Sequence, residues 1–117
     1  MSEGPQPLPR RAARVRWVEL LYTPGCPASA EAHALLRSIL LERGIDALLA
    51  LHEVRTQEEA IELRLLGSPT IRIDGRDVDP AGAAAPPGLG NRIYRLADGR
   101  VAGLPSRRQL EEALLDV

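Results

Sequence analysis

Cys26 is the only thiol in a chain of 117 residues. It lies in the stretch Leu20-Leu21-Tyr22-Thr23-Pro24-Gly25-Cys26-Pro27-Ala28-Ser29, where an apolar, strand-like run gives way to a helix-like one. A thiol at such a turn meets the first, unpaired N–H groups of the helix. Those groups and the helix dipole favour the thiolate, which is the nucleophile and the soft-metal ligand. Ser29 stands where a C-x-x-C motif would carry its second cysteine, one helical turn from Cys26 and placed to hydrogen-bond a thiolate there. Tyr22, Thr23, Pro24 and Pro27 flank the thiol. Two-thiol chemistry within one chain is thereby excluded. Thiol–disulfide exchange or reversible capping remains, with an outside thiol to release the product.

Neither histidine offers a base for that thiol. Seven helical residues at 1.5 Å rise put His33 about 10 Å along the axis from Cys26, beyond the reach of a hydrogen bond. His52 closes an apolar run and reads as a structural residue. Two isolated histidines and one cysteine lack the spacing of a zinc site. Asp74, Arg76, Asp77 and Asp79 make a charged segment that reads as a solvated turn. Phosphate-binding glycine loops, paired acid/base carboxylates and nucleophilic serine motifs do not occur.

The elements that must position Cys26 follow from periodicity. Residues 15–22 form a strand whose second half is apolar on both faces, as in a strand buried on both sides. Pro27 starts a helix over 27–43 and Gly44 stops it. Ala32, Leu35, Leu36, Ile39 and Leu40 give it one buried stripe. The apolar run over 47–54 makes a second strand, parallel to the first, and closes a βαβ unit. Thr56 and Glu59 form a capping box for a helix running up to Gly67. A strand over 70–73 ends at the Asp74-Gly75 turn. Residues 79–90, rich in Ala, Gly and Pro, are a loop. A strand over 92–96 is expected antiparallel to 70–73, and Ser106 caps a last helix to about Leu115. The order is β-α-β-α-β-β-α: an α/β fold with a four-stranded mixed sheet and flanking helices.

Composition narrows the function classes. The length fits one domain, and residues 1–14, with three prolines and three arginines, read as a disordered or loosely attached tail before a domain over 15–117. A net charge of −1 gives no pull toward nucleic acid or a membrane surface. No apolar run approaches the roughly 18 residues of a membrane span. No secretory leader is evident, and the expectation is a cytoplasmic protein whose thiol stays reduced.

This order, with Cys26-Pro27 at the first strand-to-helix turn and Ser68-Pro69-Thr70 just before a strand, resembles the thioredoxin superfamily. The Tyr22-x-x-Gly25-Cys26-Pro27 turn and the segment from Gly67 through Ser68-Pro69-Thr70-Ile71-Arg72-Ile73 to Asp74-Gly75 are similar to small bacterial thioredoxin-family proteins, some labelled alkylmercury-lyase-like. The resemblance covers about residues 15–116. It implies a thioredoxin-like domain and a cis Ser68–Pro69 bond against Cys26. It also implies a wall of Ser68, Pro69 and Thr70 on which a thiol or peptide docks, with Thr70 contacting a bound thiol. Dithiol relatives resolve a mixed disulfide with the cysteine that is Ser29 here, and some carry a cysteine where this chain has Asn91. Three functions follow as expectations. The first is a monothiol thioredoxin-like protein with Cys26 as nucleophile, no bound cofactor, and glutathione or another small thiol as co-substrate; its partner is a thiol-bearing small molecule or protein. The second is a soft-metal or organomercury-binding thiol protein. The third is a non-enzymatic binding module on the same fold.

Overall fold

A computed structural model describes residues 15–115. The expected tail over 1–14 lies outside the described residues. Strand β1 (Arg16–Tyr22) and strand β2 (Ala47–Glu53) pair in parallel along their whole length, and helix α1 (Pro27–Glu42) connects them. Helix α2 (Gln57–Leu63) follows, then the short strands β3 (Leu66–Ser68) and β4 (Thr70–Ile73). β4 runs antiparallel to β1 and turns back into β5 (Arg76–Asp77). The four-stranded mixed sheet therefore has the order β2-β1-β4-β5. The Asp74-Gly75 turn has positive φ at both residues, the type I′ geometry that joins twisted strands tightly.

The two faces of this sheet are covered differently. Val18 and Leu20 of β1 and Ile71 and Ile73 of β4 pack with Ala32, Leu36 and Ile39 of α1, and with Leu110 and Leu114 of helix α3 (Arg107–Leu114). Each large aliphatic side chain buried this way contributes about 1.5–3 kcal/mol. The opposite face carries a smaller cluster of Leu21, Val54, Ala60 and Leu65, under α2. The capping boxes of α2 (Thr56 with Glu59) and α3 (Ser106 with Gln109) are both closed.

Three expectations are corrected. Helix α2 stops at Leu63 rather than reaching Gly67, because Arg64 takes the left-handed conformation and Leu65 turns inward. The segment 79–90 is not wholly loop. After a single 3₁₀ turn at Pro80–Gly82 it forms strand β6 (Gly88–Asn91), parallel to β3. The strand expected over 92–96 does not pair with β4. Only Tyr94–Arg95 (β7) is extended, and it pairs with Val101–Ala102 (β8) in a separate hairpin. The fourth strand of the main sheet is instead β5, which the tight Asp74-Gly75 turn brings against β4 before any later segment can reach that edge.

Candidate functional site

β1 delivers the chain to a turn in which the Cys26 N–H donates to the Thr23 carbonyl at 3.2 Å. Pro24 presets the first corner of that turn and Gly25, at φ +74°, takes the left-handed second corner. Cys26 is the N-cap of α1 and Pro27 is its first helical residue. The thiol is free and half-buried. Pro24, Gly25 and Pro27 are exposed around it, and Tyr22, Thr23 and Ser29 are half-buried. The Ser29 N–H and the Ser29 hydroxyl both donate to the Cys26 carbonyl, at 3.2 and 2.8 Å. The one hydroxyl proton is thus given to backbone, the usual behaviour of a first-turn serine, and the expected bond from Ser29 to the thiolate is not made. One helical turn along, Leu20, Tyr22, Ser29, Ala30, His33 and Leu51 line a pocket of about 190 Å³. His33 therefore faces the same recess as Ser29 and Tyr22.

Behind the turn lies the Ser68-Pro69-Thr70 segment. The Ser68–Pro69 bond is cis, as the resemblance implied. The Thr23 N–H donates to the Ser68 hydroxyl at 2.9 Å, and this bond ties the two segments together. The segment does not otherwise present itself to solvent. Ser68 is 2% exposed, and Pro69 and Thr70 are buried. The Ser68 carbonyl accepts from the Arg92 N–H at 3.0 Å, the Pro69 carbonyl from the Tyr94 hydroxyl at 2.5 Å. The Thr70 hydroxyl donates to the Gly67 carbonyl and accepts from the Leu66 N–H. Polar groups expected to meet an incoming thiol are thus committed within the protein, because β6 and β7 lie against their outer side. The structure brings Tyr22, Thr23, Pro24, Cys26, Pro27 and Ser29 together at the surface and places Ser68, Pro69 and Thr70 beneath them as support.

That support rests on Arg92 and Tyr94, which no motif in the sequence marked, and on Asp77 of the charged segment. Arg92, 3% exposed, donates to both carboxylate oxygens of Asp77, at 3.0 and 2.7 Å. Its guanidinium lies 4.5 Å from the centre of the Tyr94 ring. Burial, the largest single influence, works against the Arg92 charge. The hydrogen bonds to Asp77 and the charge interactions with Tyr94, Asp77 and Asp79 together outweigh it and hold the group above its ordinary range. Burial pushes the Tyr94 phenol well above its usual value, against the pull of the Arg92 charge. Gly67 is pressed against this knot: a β-carbon there would stand 2.8 Å from the Arg92 Cα, at a φ of +108°. Asp77 and Asp79 are consequently not part of a solvated turn. The Asp77 side chain is 4% exposed, and Asp79 is buried with its carboxylate accepting from the Arg95 N–H. Asp74 is bound too, accepting from the buried Arg16 side chain at 2.6 Å and from the Trp17 N–H. The one available signal was the spacing of Arg92 and Tyr94, which puts both on one side of an extended segment.

His52 lies apart from Cys26, 4.0 Å from the Glu19 carboxylate across the β1–β2 ladder. Among the described residues, no group of three or more His, Cys, Asp or Glu side chains stands close enough to hold a metal ion, and no helix is long and apolar enough to cross a membrane. No protein-family model, curated protein or solved structure matches the chain. What fold and site define is a mixed α/β protein with one half-buried thiol at a strand-to-helix turn, braced from below by a buried polar knot.

Proposed function

We propose that this is a monothiol, thioredoxin-like protein that carries out thiol–disulfide exchange or reversible capping through Cys26. The observation that carries the reading is the placing of the only thiol: half-buried, at the N-cap of α1, on a turn fixed by Pro24, Gly25 and Pro27. The parallel β1-α1-β2 unit, the antiparallel β4 beside β1, and α1 and α3 on one face support it. In the first step the Cys26 thiolate attacks one sulfur of a disulfide. A new bond to Sγ forms as the old S–S bond breaks, and the other sulfur leaves as a thiolate and takes up a proton. With Ser29 in place of a second cysteine, an outside thiolate must attack the mixed disulfide. That attack returns Cys26 and forms a new disulfide on the small thiol. The pocket lined by Tyr22, Ser29 and His33 lies one helical turn along α1 from Cys26 and would receive a part of the substrate at that distance from the thiol.

The test is reaction of the full chain with oxidised glutathione, followed by mass spectrometry and by turnover of a small mixed disulfide in the presence of reduced glutathione. One glutathione per chain is expected, with loss of both adduct and turnover in Cys26→Ser. Ser29→Ala is expected to retain most of the turnover, because its hydroxyl serves the backbone. Turnover surviving in Cys26→Ser refutes the reading. An inert Cys26 does so as well, and points to a binding module instead.

A further inference from the structure

A second cavity lies at the far end of β1 from Cys26. Arg16, the first residue of β1, lines it, whereas the thiol turn follows Tyr22, the last. A strand of that length sets the two about 20 Å apart. The cavity, of about 560 Å³, opens between the β4–β5 turn and α3, and its size is that of a small-molecule site. Its charged lining divides in two. Asp74 is paired with Arg16, Asp77 with Arg92, and Glu112 with Arg108. Asp79 and Arg76 are not matched in this way. Asp79 is 8% exposed. Its Oδ2 accepts one bond of 3.3 Å from the Arg95 N–H, and its Oδ1 accepts none among the described residues. The Arg92 charge acts on Asp79, but both of its terminal nitrogens are bonded to Asp77. One cation therefore serves two buried carboxylates. A buried carboxylate short of donors is costly, and a bound cation removes that cost. Arg76, on β5, is exposed at the same cavity and forms no ion pair among the described residues.

We infer that this cavity binds a small amino-acid-like zwitterion, with its ammonium group on Asp79 and its carboxylate on Arg76. An ammonium group brings three donors and a positive charge to the carboxylate that lacks both. The guanidinium fork of Arg76 suits a planar carboxylate. A ligand with only a positive charge leaves Arg76 unmatched, and one with only a negative charge faces the buried Asp79. Ile73, Val78, Pro80 and Ala113 supply an apolar wall for an aliphatic side chain. The site shares no residue with the Cys26 turn, so it stands whatever the thiol does.

The test is a titration of the isotope-labelled full chain with L-leucine, followed by the backbone amide signals in NMR. Saturable shifts are expected within residues 73–82 and 109–113, with a Kd of about 1 mM or tighter. 3-Methylbutylamine and 4-methylpentanoate keep the leucine side chain and drop one charge each. Each should bind at least about tenfold more weakly than leucine. Arg76→Gln, a change at an exposed position, should weaken leucine at least about fivefold and leave the amine no weaker. Asp79→Asn should abolish binding of leucine and amine alike, with circular dichroism confirming the fold. If Asp79→Asn does not fold, Arg76→Gln and the two single-charge probes decide the matter. No saturable shift, shifts confined to other parts of the chain, an amine or acid that binds as well as leucine, or leucine binding indifferent to Arg76→Gln overturns the proposal. None of these outcomes bears on Cys26 turnover, which the glutathione experiment reads separately.

Discussion

The Cys26 turn and the Arg92 knot each bond to the Ser68-Pro69 segment, and they are built in opposite ways. The turn is a surface feature held by two backbone hydrogen bonds of 3.2 Å and by residues that preset their own dihedrals, Pro24, Gly25 and Pro27. The knot is buried and held by long-range pairing, Arg92 with Asp77 and Tyr94 with the Pro69 carbonyl. The difference shows where a single-thiol site gets its precision. The turn leaves the thiol half-exposed, and the rigidity comes from a buried polar support. Stability should therefore follow the knot and reactivity the turn.

The sharpest way to break that division is to remove the knot's cation. Arg92→Met keeps much of the volume but leaves the Asp77 carboxylate, 4% exposed, without its partner. Breaking a buried ion pair from one side costs about 3–5 kcal/mol. At about 4–8 °C per kcal/mol for a domain of this size, the midpoint of thermal unfolding should fall by well over 10 °C. Cys26→Ala, which changes a half-buried side chain with no cap bond, should shift it by only a few degrees. Equal losses in the two variants, read by thermal circular dichroism, would show that the thiol is a structural residue and the division is wrong.

Tyr94 gives a smaller effect with a distinctive pH signature. Its phenol holds its proton in the folded protein to a higher pH than in the unfolded chain, first because it is buried. The stability this supplies is fully present below the unfolded value of about 10 and is lost as pH rises above it. Urea midpoints measured from pH 9 to pH 11 should fall over the upper half of that range. Tyr94→Phe should flatten the fall and cost about 1–2 kcal/mol at neutral pH, because the Pro69 carbonyl loses its donor. An unchanged alkaline slope in Tyr94→Phe would remove Tyr94 from the account.

The same contrast explains what could be foreseen. The turn is written in adjacent residues, so Pro-Gly-Cys-Pro and the apolar runs around it were enough to place Cys26 between β1 and α1. The Thr56–Glu59 box and the Asp74-Gly75 hairpin were local in the same sense. The knot joins residues 15 apart and 25 apart in the chain, and neither partner announces the other. Asp77, in a run of alternating charges, looks like any solvated turn residue until Arg92 is folded onto it. Strand β6 contains Gly88 and Gly90, which offer no side-chain alternation to read. Its pairing with β3 in turn fills the outer side of Ser68, so the role of that residue changed from docking surface to support.

The finest test acts on the bond that joins the two regions. Ser68→Ala removes the hydroxyl that accepts from the Thr23 N–H and touches neither the Arg92–Asp77 pair nor the Tyr94 bond. A neutral hydrogen bond of this kind contributes about 1 kcal/mol, so the unfolding midpoint should fall by about 4–8 °C, well short of the loss in Arg92→Met. The consequence for the turn is larger in proportion. If that bond holds the turn closed over a half-buried thiol, losing about 1 kcal/mol raises the open population about fivefold. Alkylation of Cys26 by iodoacetamide at fixed pH should then quicken by about two- to fivefold, while the melting temperature falls far less than in Arg92→Met. A rate unchanged from the parent chain would mean that the turn holds its shape through Pro24, Gly25 and Pro27 alone. The knot would then stabilise the protein without setting the reactivity of its thiol.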